Sequence, residues 1–157
     1  MDPPHGNVPL IRAPTEIPHN VINIFTNGRK IGGDVGAAAV IIKDVIVLHQ
    51  SSFKLHERYS NNQAEQVAIL RAIEQIQSLQ LTEDAEKTAV VNTDSKTTLD
   101  TLQNRNKRYI VIENIRKEIK RLGDIRWTAF LTGRRHMSKY KEMKWQTVLP
   151  RRWQRKT

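Results

Sequence analysis

The chain has 157 residues, which is room for one domain, and it carries a net charge of +10 at pH 7. It contains no cysteine, which excludes a disulfide scaffold, a thiolate metal site and a cysteine nucleophile and agrees with an intracellular setting, cytoplasm or nucleus. The longest apolar runs, residues 37–42 and 45–48, are too short to cross a bilayer, and the opening MDPPHGNVPL lacks the basic start and apolar stretch of a signal peptide. We therefore expect no membrane partner.

The chain opens with a proline-rich segment. Five of its six prolines lie within residues 3–18, which predicts an extended, loosely held segment over residues 1–19. The predicted domain follows over residues 20–131, and a basic tail over residues 132–157. No internal repeat is visible, and we expect a monomer.

Three strands open the predicted domain. Residues 21–26 (VINIFT) predict a buried strand, followed by a turn at Asn27-Gly28. Residues 36–42 (GAAAVII) and 45–55 give two further strands, joined by a two-residue turn at Lys43-Asp44. Three consecutive strands with short links predict an antiparallel meander.

The strongest helix signal of the chain follows the third strand. Ser60 and Gln63 have the spacing of a capping box. Glu65 is predicted in the first turn, on the same face as the apolar residues behind it. Those residues recur at the i, i+3, i+4 spacing of an amphipathic helix and are Ala68, Ile69, Ala72, Ile73, Ile76 and Leu79.

The second half of the domain alternates strands and helices. Residues 88–93 (TAVVNT) predict a short strand, Asp94-Ser95 a cap on the next helix, and residues 109–122 a further helix that stops at Gly123. Alternating apolar residues over 125–131 give a fifth strand. The order βββ-α-β-α-α-β predicts an α/β fold, with a five-stranded mixed sheet and helices on both faces.

Four short motifs narrow this class of fold. The chain contains IFTNGRK at the end of strand one, DVGAAAV in strand two, NNQAEQVAILRAIE on the first helix and VNTDSKTTL at the end of strand four. Together, in this order, they resemble a type 1 ribonuclease H domain of the kind carried by insect non-LTR retrotransposon polyproteins. The resemblance covers residues 20–131 and implies a ribonuclease H-like sheet, an RNA/DNA hybrid as nucleic-acid partner, and four carboxylates that hold two Mg²⁺ ions.

Two of the four implied carboxylates are present. Glu65 in NQAEQ matches the acid on the helix, and Asp94 in NTDS matches the acid after strand four. The resemblance makes both of them metal ligands and catalytic residues. Each also has a purely structural explanation, because the helix dipole favours an acid in the first turn and aspartate is a good N-cap.

The acid of the first strand is replaced. Where the family has T-D-G-S, this chain has Thr26-Asn27-Gly28-Arg29. Asn27 stands at an expected catalytic aspartate and offers an amide oxygen without charge, while Arg29 adds a positive charge close by. Both changes are expected to weaken Mg²⁺ binding. An Asn-Gly pair that merely forms a turn would explain the same residues.

The fourth implied acid and a loop histidine are also missing. The family follows its last strand with a W-x-x-x-H-x-G loop and a G-N-E-x-A-D helix. Counting from Trp127, the histidine position is Leu131 and the acid position is Lys141. Glu142 is adjacent and could substitute, and His136 is expected on the surface.

The resemblance stops at Gly133, where the charge changes. Residues 132–157 hold nine lysines and arginines and one acid, whereas the first 131 residues are nearly balanced. Cations interleaved with aromatic rings suit contact with phosphates and bases, but an out-of-frame or decayed end would also explain this segment. The predicted nucleic-acid contacts are Arg134, Arg135, Lys139, Lys141, Lys144, Arg151, Arg152, Trp145 and Trp153.

Three functions stay open at this point. The chain can be a ribonuclease H-like module that binds nucleic acid with its hydrolytic activity lost or impaired. It can be a working hybrid ribonuclease that uses two Mg²⁺ ions. It can also be a decayed element fragment, or one reused for protein contacts, without a nucleic-acid function.

Overall fold

The computed structural model describes residues 10–11, 21–44, 46–79, 87–104 and 106–133. The described strands are β1 (Leu10–Ile11), β2 (Ile22–Ile31), β3 (Asp34–Lys43), β4 (Ile46–Leu55), β5 (Thr88–Asn92) and β6 (Thr128–Thr132). The described helices are α1 (Asn61–Ile76), α2 (Lys96–Gln103) and α3 (Ile110–Asp124).

The strands form one mixed sheet in the order β1-β6-β5-β2-β3-β4. β2, β3 and β4 are antiparallel neighbours, and β5 runs parallel to both β2 and β6. The predicted five-stranded mixed sheet with an antiparallel meander is therefore confirmed as β2 to β6. The sequence did not indicate β1, whose two residues pair in parallel with Leu131 and Thr132 of β6, because two residues carry no readable alternation.

One face of the sheet carries the main core. Strand residues such as Ile24, Ile41 and Val91 meet apolar side chains from all three described helices in one buried cluster. Each fully buried isoleucine or leucine in it contributes about 1.5–3 kcal/mol. The helix side chains of this cluster include Ile69, Ala72, Ile73, Ile76, Leu102, Ile112, Ile115 and Leu122. The sequence predicts helices on both faces, whereas all three described helices pack on this one face, which we call the helix face.

The opposite face of the sheet holds a smaller apolar cluster. Phe25, Ala38, Val40 and Ile42 are buried there, with Val47 packed against them. Side chains alternate along each strand, so these residues point away from α1 while their chain neighbours point toward it. We call this side the second face.

The caps explain where α1 and α2 begin. The Ser60 hydroxyl accepts from the Gln63 backbone N–H at 3.1 Å, and the Gln63 side chain accepts from the Ser60 N–H at 2.9 Å. The predicted capping box is confirmed. For α2 the N-cap is Ser95, whose hydroxyl accepts from the Thr98 N–H at 3.2 Å. The predicted cap at Asp94-Ser95 is therefore confirmed at Ser95, whereas Asp94 is not the N-cap because it lies two residues before the first residue of α2.

A single buried arginine holds the junction between α2 and α3. Arg116 is 3% exposed and forms a salt bridge with Glu113. The guanidinium donates hydrogen bonds to carbonyl groups at the end of α2 and in the segment that follows it. The C-terminal end of a helix carries partial negative charge, so these contacts offset the cost of burying the positive charge of Arg116. It donates to the carbonyl oxygens of Thr101 (3.1 Å), Leu102 (3.1 Å), Asn104 (3.0 Å) and Lys107 (2.7 Å).

The end of the domain differs slightly from its predicted limits. α3 continues through Gly123 to Asp124, and Arg126 takes a positive φ of 67° before the last strand. β6 begins at Thr128, so Trp127 precedes the strand, although its side chain is buried in the main core. Across the described ranges, no helix combines the length and apolar character needed to span a membrane.

Candidate functional site

Gly28 sets the distance between β2 and α1. Asn27-Gly28 is not a turn, as the sequence had suggested: both residues lie inside β2, opposite Ala38 and Ala37. The turn comes later, at Gly32-Gly33, where Gly32 has a φ of +60°. A Cβ atom added to Gly28 would lie 2.1 Å from the backbone nitrogen of Glu65. Glycine is therefore required by the close approach of the helix rather than by a turn.

The same contact positions Glu65. This residue is the fifth of α1, so the first turn of the helix contains no acid, and the explanation of Glu65 as a first-turn acid is wrong. Glu65 is only 6% exposed. A buried carboxylate away from the helix end costs free energy unless something compensates its charge. Its place beside Gly28 is unusual for a residue with only a local structural role.

Asp94 reaches the same edge of the sheet from β5. Asn92, the last residue of β5, is the Cα partner of Phe25 in the parallel pair with β2. Two residues further along each chain come Asp94 and Asn27. The Thr93 N–H donates to the Thr132 carbonyl oxygen at 3.1 Å, which holds the chain beside β6 just before Asp94. Asp94 itself is exposed.

The backbone thus brings the positions of Asn27, Glu65 and Asp94 to one edge of the sheet, which we call the site edge. Asn27 and Asp94 follow paired positions of neighbouring parallel strands, and Glu65 packs on the glycine next to Asn27. Their roles as catalytic residues and as metal ligands stay predictions.

The donor set at the site edge does not fit two divalent ions. Two-metal sites rely on several carboxylates to hold and neutralise both ions. Among the described residues, this edge offers two carboxylates and one amide, with the cation Arg29 on the same strand. Nowhere in the described ranges do three or more histidine, aspartate or glutamate residues come together in a way that could hold a metal.

The remaining predicted site residues divide into two groups. Leu131, at the histidine position, lies within β6 and is buried in the main core against β5. The other residues lie outside the described ranges: His136, Glu142, Arg134, Arg135, Lys139, Lys141, Lys144, Arg151, Arg152, Trp145 and Trp153.

Two polar side chains near the site edge, those of Asn92 and Thr26, form hydrogen bonds that the sequence did not predict. Asn92 is 1% exposed, and its Nδ2 donates to the carbonyl oxygens of Ile24 (3.1 Å) and Val90 (3.2 Å). The Thr26 hydroxyl donates to the Asn92 carbonyl oxygen at 3.4 Å. These bonds fasten the ends of β2 and β5 side by side. A lone asparagine closing an otherwise apolar strand was the only available signal in the sequence.

Lys30 fastens the end of β2 to the loop before α1. Its backbone N–H donates to Asn61 Oδ1 at 2.6 Å, and its Nζ donates to the Glu57 carbonyl oxygen at 2.9 Å. Lys30 has the same strand parity as Gly28, so it lies on the helix face. Its ammonium group serves a structural contact there.

These elements define a ribonuclease H-like domain: a mixed five-stranded core sheet, helices packed on it, and polar residues gathered at the ends of β2, β5 and the start of α1. Solved structures with the same fold include the N-terminal ribonuclease H domain of a Mycobacterium tuberculosis protein, solved as a fusion with maltose-binding protein. That structure aligns with a TM-score of 0.55 and 20% identity, over 71% of this chain and 84% of that one.

Two further structures are similar to this chain. RNase H1 from Halobacterium salinarum aligns with a TM-score of 0.51 and 15% identity, over 75% of this chain and 89% of that one. LC11-RNase H1, isolated from compost by a metagenomic approach and solved in complex with RNA/DNA hybrid, aligns with a TM-score of 0.53 and 25% identity, over 71% and 83%. No family model and no curated protein matches the chain.

Proposed function

We propose that this chain binds nucleic acid of the RNA/DNA hybrid class at the site edge and that it cleaves such a hybrid poorly or not at all. The observation that carries the proposal is the occupant of position 27. The fold has an edge where Asn27, Glu65 and Asp94 converge, but the residue in β2 is an amide instead of a carboxylate.

The charge at the site edge explains the expected loss of hydrolysis. Losing the carboxylate at position 27 removes one negative charge from the edge, and Arg29 adds a positive charge close to it. Both effects lower the local affinity for Mg²⁺. Leu131 and Lys141 further replace the histidine and the last acid that the family resemblance implies. Binding needs none of these groups, because phosphate contacts supply most of the affinity for nucleic acid.

The origin and setting of the chain belong to the same proposal. We propose an element-derived gene of the insect non-LTR retrotransposon type, acting inside the cell as a monomer, with a frameshift or truncation after Gly133. The DNA around codon 131 tests this origin. A shifted frame that restores a G-N-E-x-A-D segment would support it, and three frames without such a segment would contradict the frameshift.

A competition experiment tests the proposed binding. Fluorescence anisotropy with a short labelled RNA/DNA hybrid should give a Kd below about 10⁻⁶ M at physiological salt, tighter than general non-specific binding. Unlabelled hybrid should compete better than DNA duplex, RNA duplex or heparin of equal charge. A chain that binds all four polyanions equally would act only through its net charge of +10, and the proposed function would be wrong.

Active hydrolysis is the second candidate. The observation in its favour is that the backbone still brings Glu65 and Asp94 to one edge of the sheet. If two carboxylates suffice, Mg²⁺-dependent cleavage of the hybrid should appear, and it should vanish in both Glu65→Gln and Asp94→Asn.

A further inference from the structure

A row of positive charge crosses the second face of the sheet beside the site edge. Arg29 of β2 pairs with Gly36 of β3, and Gly36 pairs with Lys54 of β4. Directly paired residues of neighbouring strands project to the same face. Arg29 and Lys54 therefore stand on one face, two strand spacings or about 10 Å apart, with no side chain between them.

The row lies on the same face as Asn27. Asn27 pairs with Ala38, and Ala38 pairs with Ser52, two residues along each strand from Arg29, Gly36 and Lys54. Ala38 belongs to the second-face cluster around Phe25. Both sets of paired residues therefore project from the second face. Asn27 and Arg29 are part-exposed, and Ser52 and Lys54 are exposed, so this end of the face is accessible to a large ligand.

The neighbouring cation does not share this role. Lys30 lies on the helix face, where its ammonium group donates to the Glu57 carbonyl oxygen. The sequence places Arg29 and Lys30 side by side, but the parity of β2 puts Arg29 on the second face and Lys30 on the helix face. This separation is visible only once the register of β2 is known.

We infer that Arg29 and Lys54 bind successive phosphate groups of a nucleic-acid backbone and that this binding needs no divalent ion. The inference rests on the proposed function and specifies how its site works. Arg29 and Lys54 bring two positive charges to the second face, on which the parity of β3 also places the acid Asp34. They lie next to a site edge that offers two carboxylates and one amide among the described residues. Gly36 between them leaves room for a sugar–phosphate backbone to approach the sheet. An arginine can also hold a phosphate with two parallel hydrogen bonds.

Salt dependence of hybrid binding by the full chain tests this inference. Anisotropy titrations with a short labelled RNA/DNA hybrid are run over a salt series, in EDTA and in Mg²⁺. The slope of log Kd against log salt should fall by about 1 for Arg29→Gln and by about 2 for Arg29→Gln with Lys54→Gln. Affinity at ~0.1 M salt should fall roughly fivefold to tenfold for each lost contact. At equal ionic strength, the wild-type Kd in Mg²⁺ should differ from the Kd in EDTA by less than about twofold.

Two controls separate this role from a structural one. Lys120→Gln removes the same charge from an exposed position of α3 and should leave the slope unchanged. Arg29→Lys keeps the charge and should retain most of the slope, whereas a purely structural arginine would not be rescued by lysine. Thermal unfolding by circular dichroism checks that every variant is folded.

The outcomes distinguish this inference from the proposed function. If the wild type prefers the hybrid but the double variant behaves like Lys120→Gln, Arg29 and Lys54 do not bind the phosphates. The inference is then wrong, and the proposed function stands. If binding disappears in EDTA, the metal-independent part is overturned. If the wild type shows no preference for the hybrid at all, the proposed function fails first.

Discussion

The two faces of β2 do different work, although their residues alternate along one strand. Ile22, Ile24 and Gly28 face the helices, where they form the main core and receive α1. Asn27 and Arg29 face the other side, at an end of the sheet that is part-exposed. If the proposed function holds, residues that stabilise the fold and residues that bind nucleic acid alternate along this strand, so side-chain parity separates the two roles rather than distance.

Substitutions on the two faces of the sheet should have different effects. Changes on the helix face should alter the free energy of unfolding strongly, and any loss of binding should follow from lost structure. Changes near the site edge on the second face should alter binding while leaving unfolding nearly unchanged.

Replacement of Arg116 should have the largest effect. Arg116→Met removes the partner of Glu113 and one hydrogen-bond donor from each of four carbonyl groups at the α2–α3 junction. The carbonyl groups of Thr101 and Asn104 keep a backbone donor. We expect a loss of about 3–5 kcal/mol, as for other broken buried pairs. The measurement is urea unfolding followed by circular dichroism. Arg121→Met, which removes the exposed partner of the part-buried Glu118, should cost less than about 1 kcal/mol. Equal losses would contradict the role assigned to Arg116.

Gly28→Ala should have the next largest effect. Its Cβ would meet the backbone of Ala64 and Glu65, which cannot yield without moving α1. Overpacking of this kind costs about 1–3 kcal/mol, and hybrid binding should weaken because the site edge is displaced. The matched control is Gly123→Ala in α3, where an added Cβ meets nothing within 4 Å. That change should stabilise the helix by about 0.5–1 kcal/mol. A Gly28→Ala variant as stable as the wild type would show that α1 does not sit on β2 as described.

The cap of α1 should contribute a moderate amount. Ser60→Ala removes the hydroxyl acceptor for the Gln63 N–H, and the typical cost is about 1 kcal/mol. Ser52→Ala, at an exposed position of β4, should change stability by less than about 0.5 kcal/mol. Chemical denaturation resolves this difference, and a cost near zero for Ser60→Ala would remove the capping box from the account.

Lys54→Gln should have the smallest effect on folding. Lys54 is exposed on the second face, and its loss should change the free energy of unfolding by less than about 0.5 kcal/mol. The same variant should weaken hybrid binding. A rise in the hybrid Kd without a change in the free energy of unfolding would show that Lys54 acts in binding and not in folding. A destabilisation as large as that of Ser60→Ala would show that Lys54 supports the fold.

Much of the fold could be predicted because its signals are local. The apolar stripe of α1, its capping box and the alternation of the strands each depend on residues a few positions apart. The interpretation of Asn27-Gly28 as a turn was wrong because turn chemistry is local, whereas the need for glycine arises from a helix more than thirty residues away in sequence. The start of β6 was predicted three residues too early, because the apolar residues before Thr128 continue the alternation of the strand.

The site edge could be predicted only in part. The motifs located Glu65, Asp94 and Asn27, and the sheet register shows why such distant residues meet. The charged row of Arg29 and Lys54 could not be predicted, because it depends on the pairing of both residues with Gly36. No single motif carries that information. The role of the basic tail stays a prediction, since its residues lie outside the described ranges.

The most direct test of the central claim is a cleavage assay on bound hybrid. Fresh protein, with Asn27 verified by mass spectrometry, is mixed with labelled RNA/DNA hybrid and Mg²⁺, and binding and product formation are measured in the same sample. We expect binding without cleavage above background. Asn27→Asp should tighten Mg²⁺ binding, because a pair of unit charges about 4 Å apart at an effective dielectric of about 20 contributes on the order of 4 kcal/mol before desolvation. Its turnover should stay low, because the last acid and the histidine are absent. Robust Mg²⁺-dependent cleavage by the verified Asn27 protein would contradict the account.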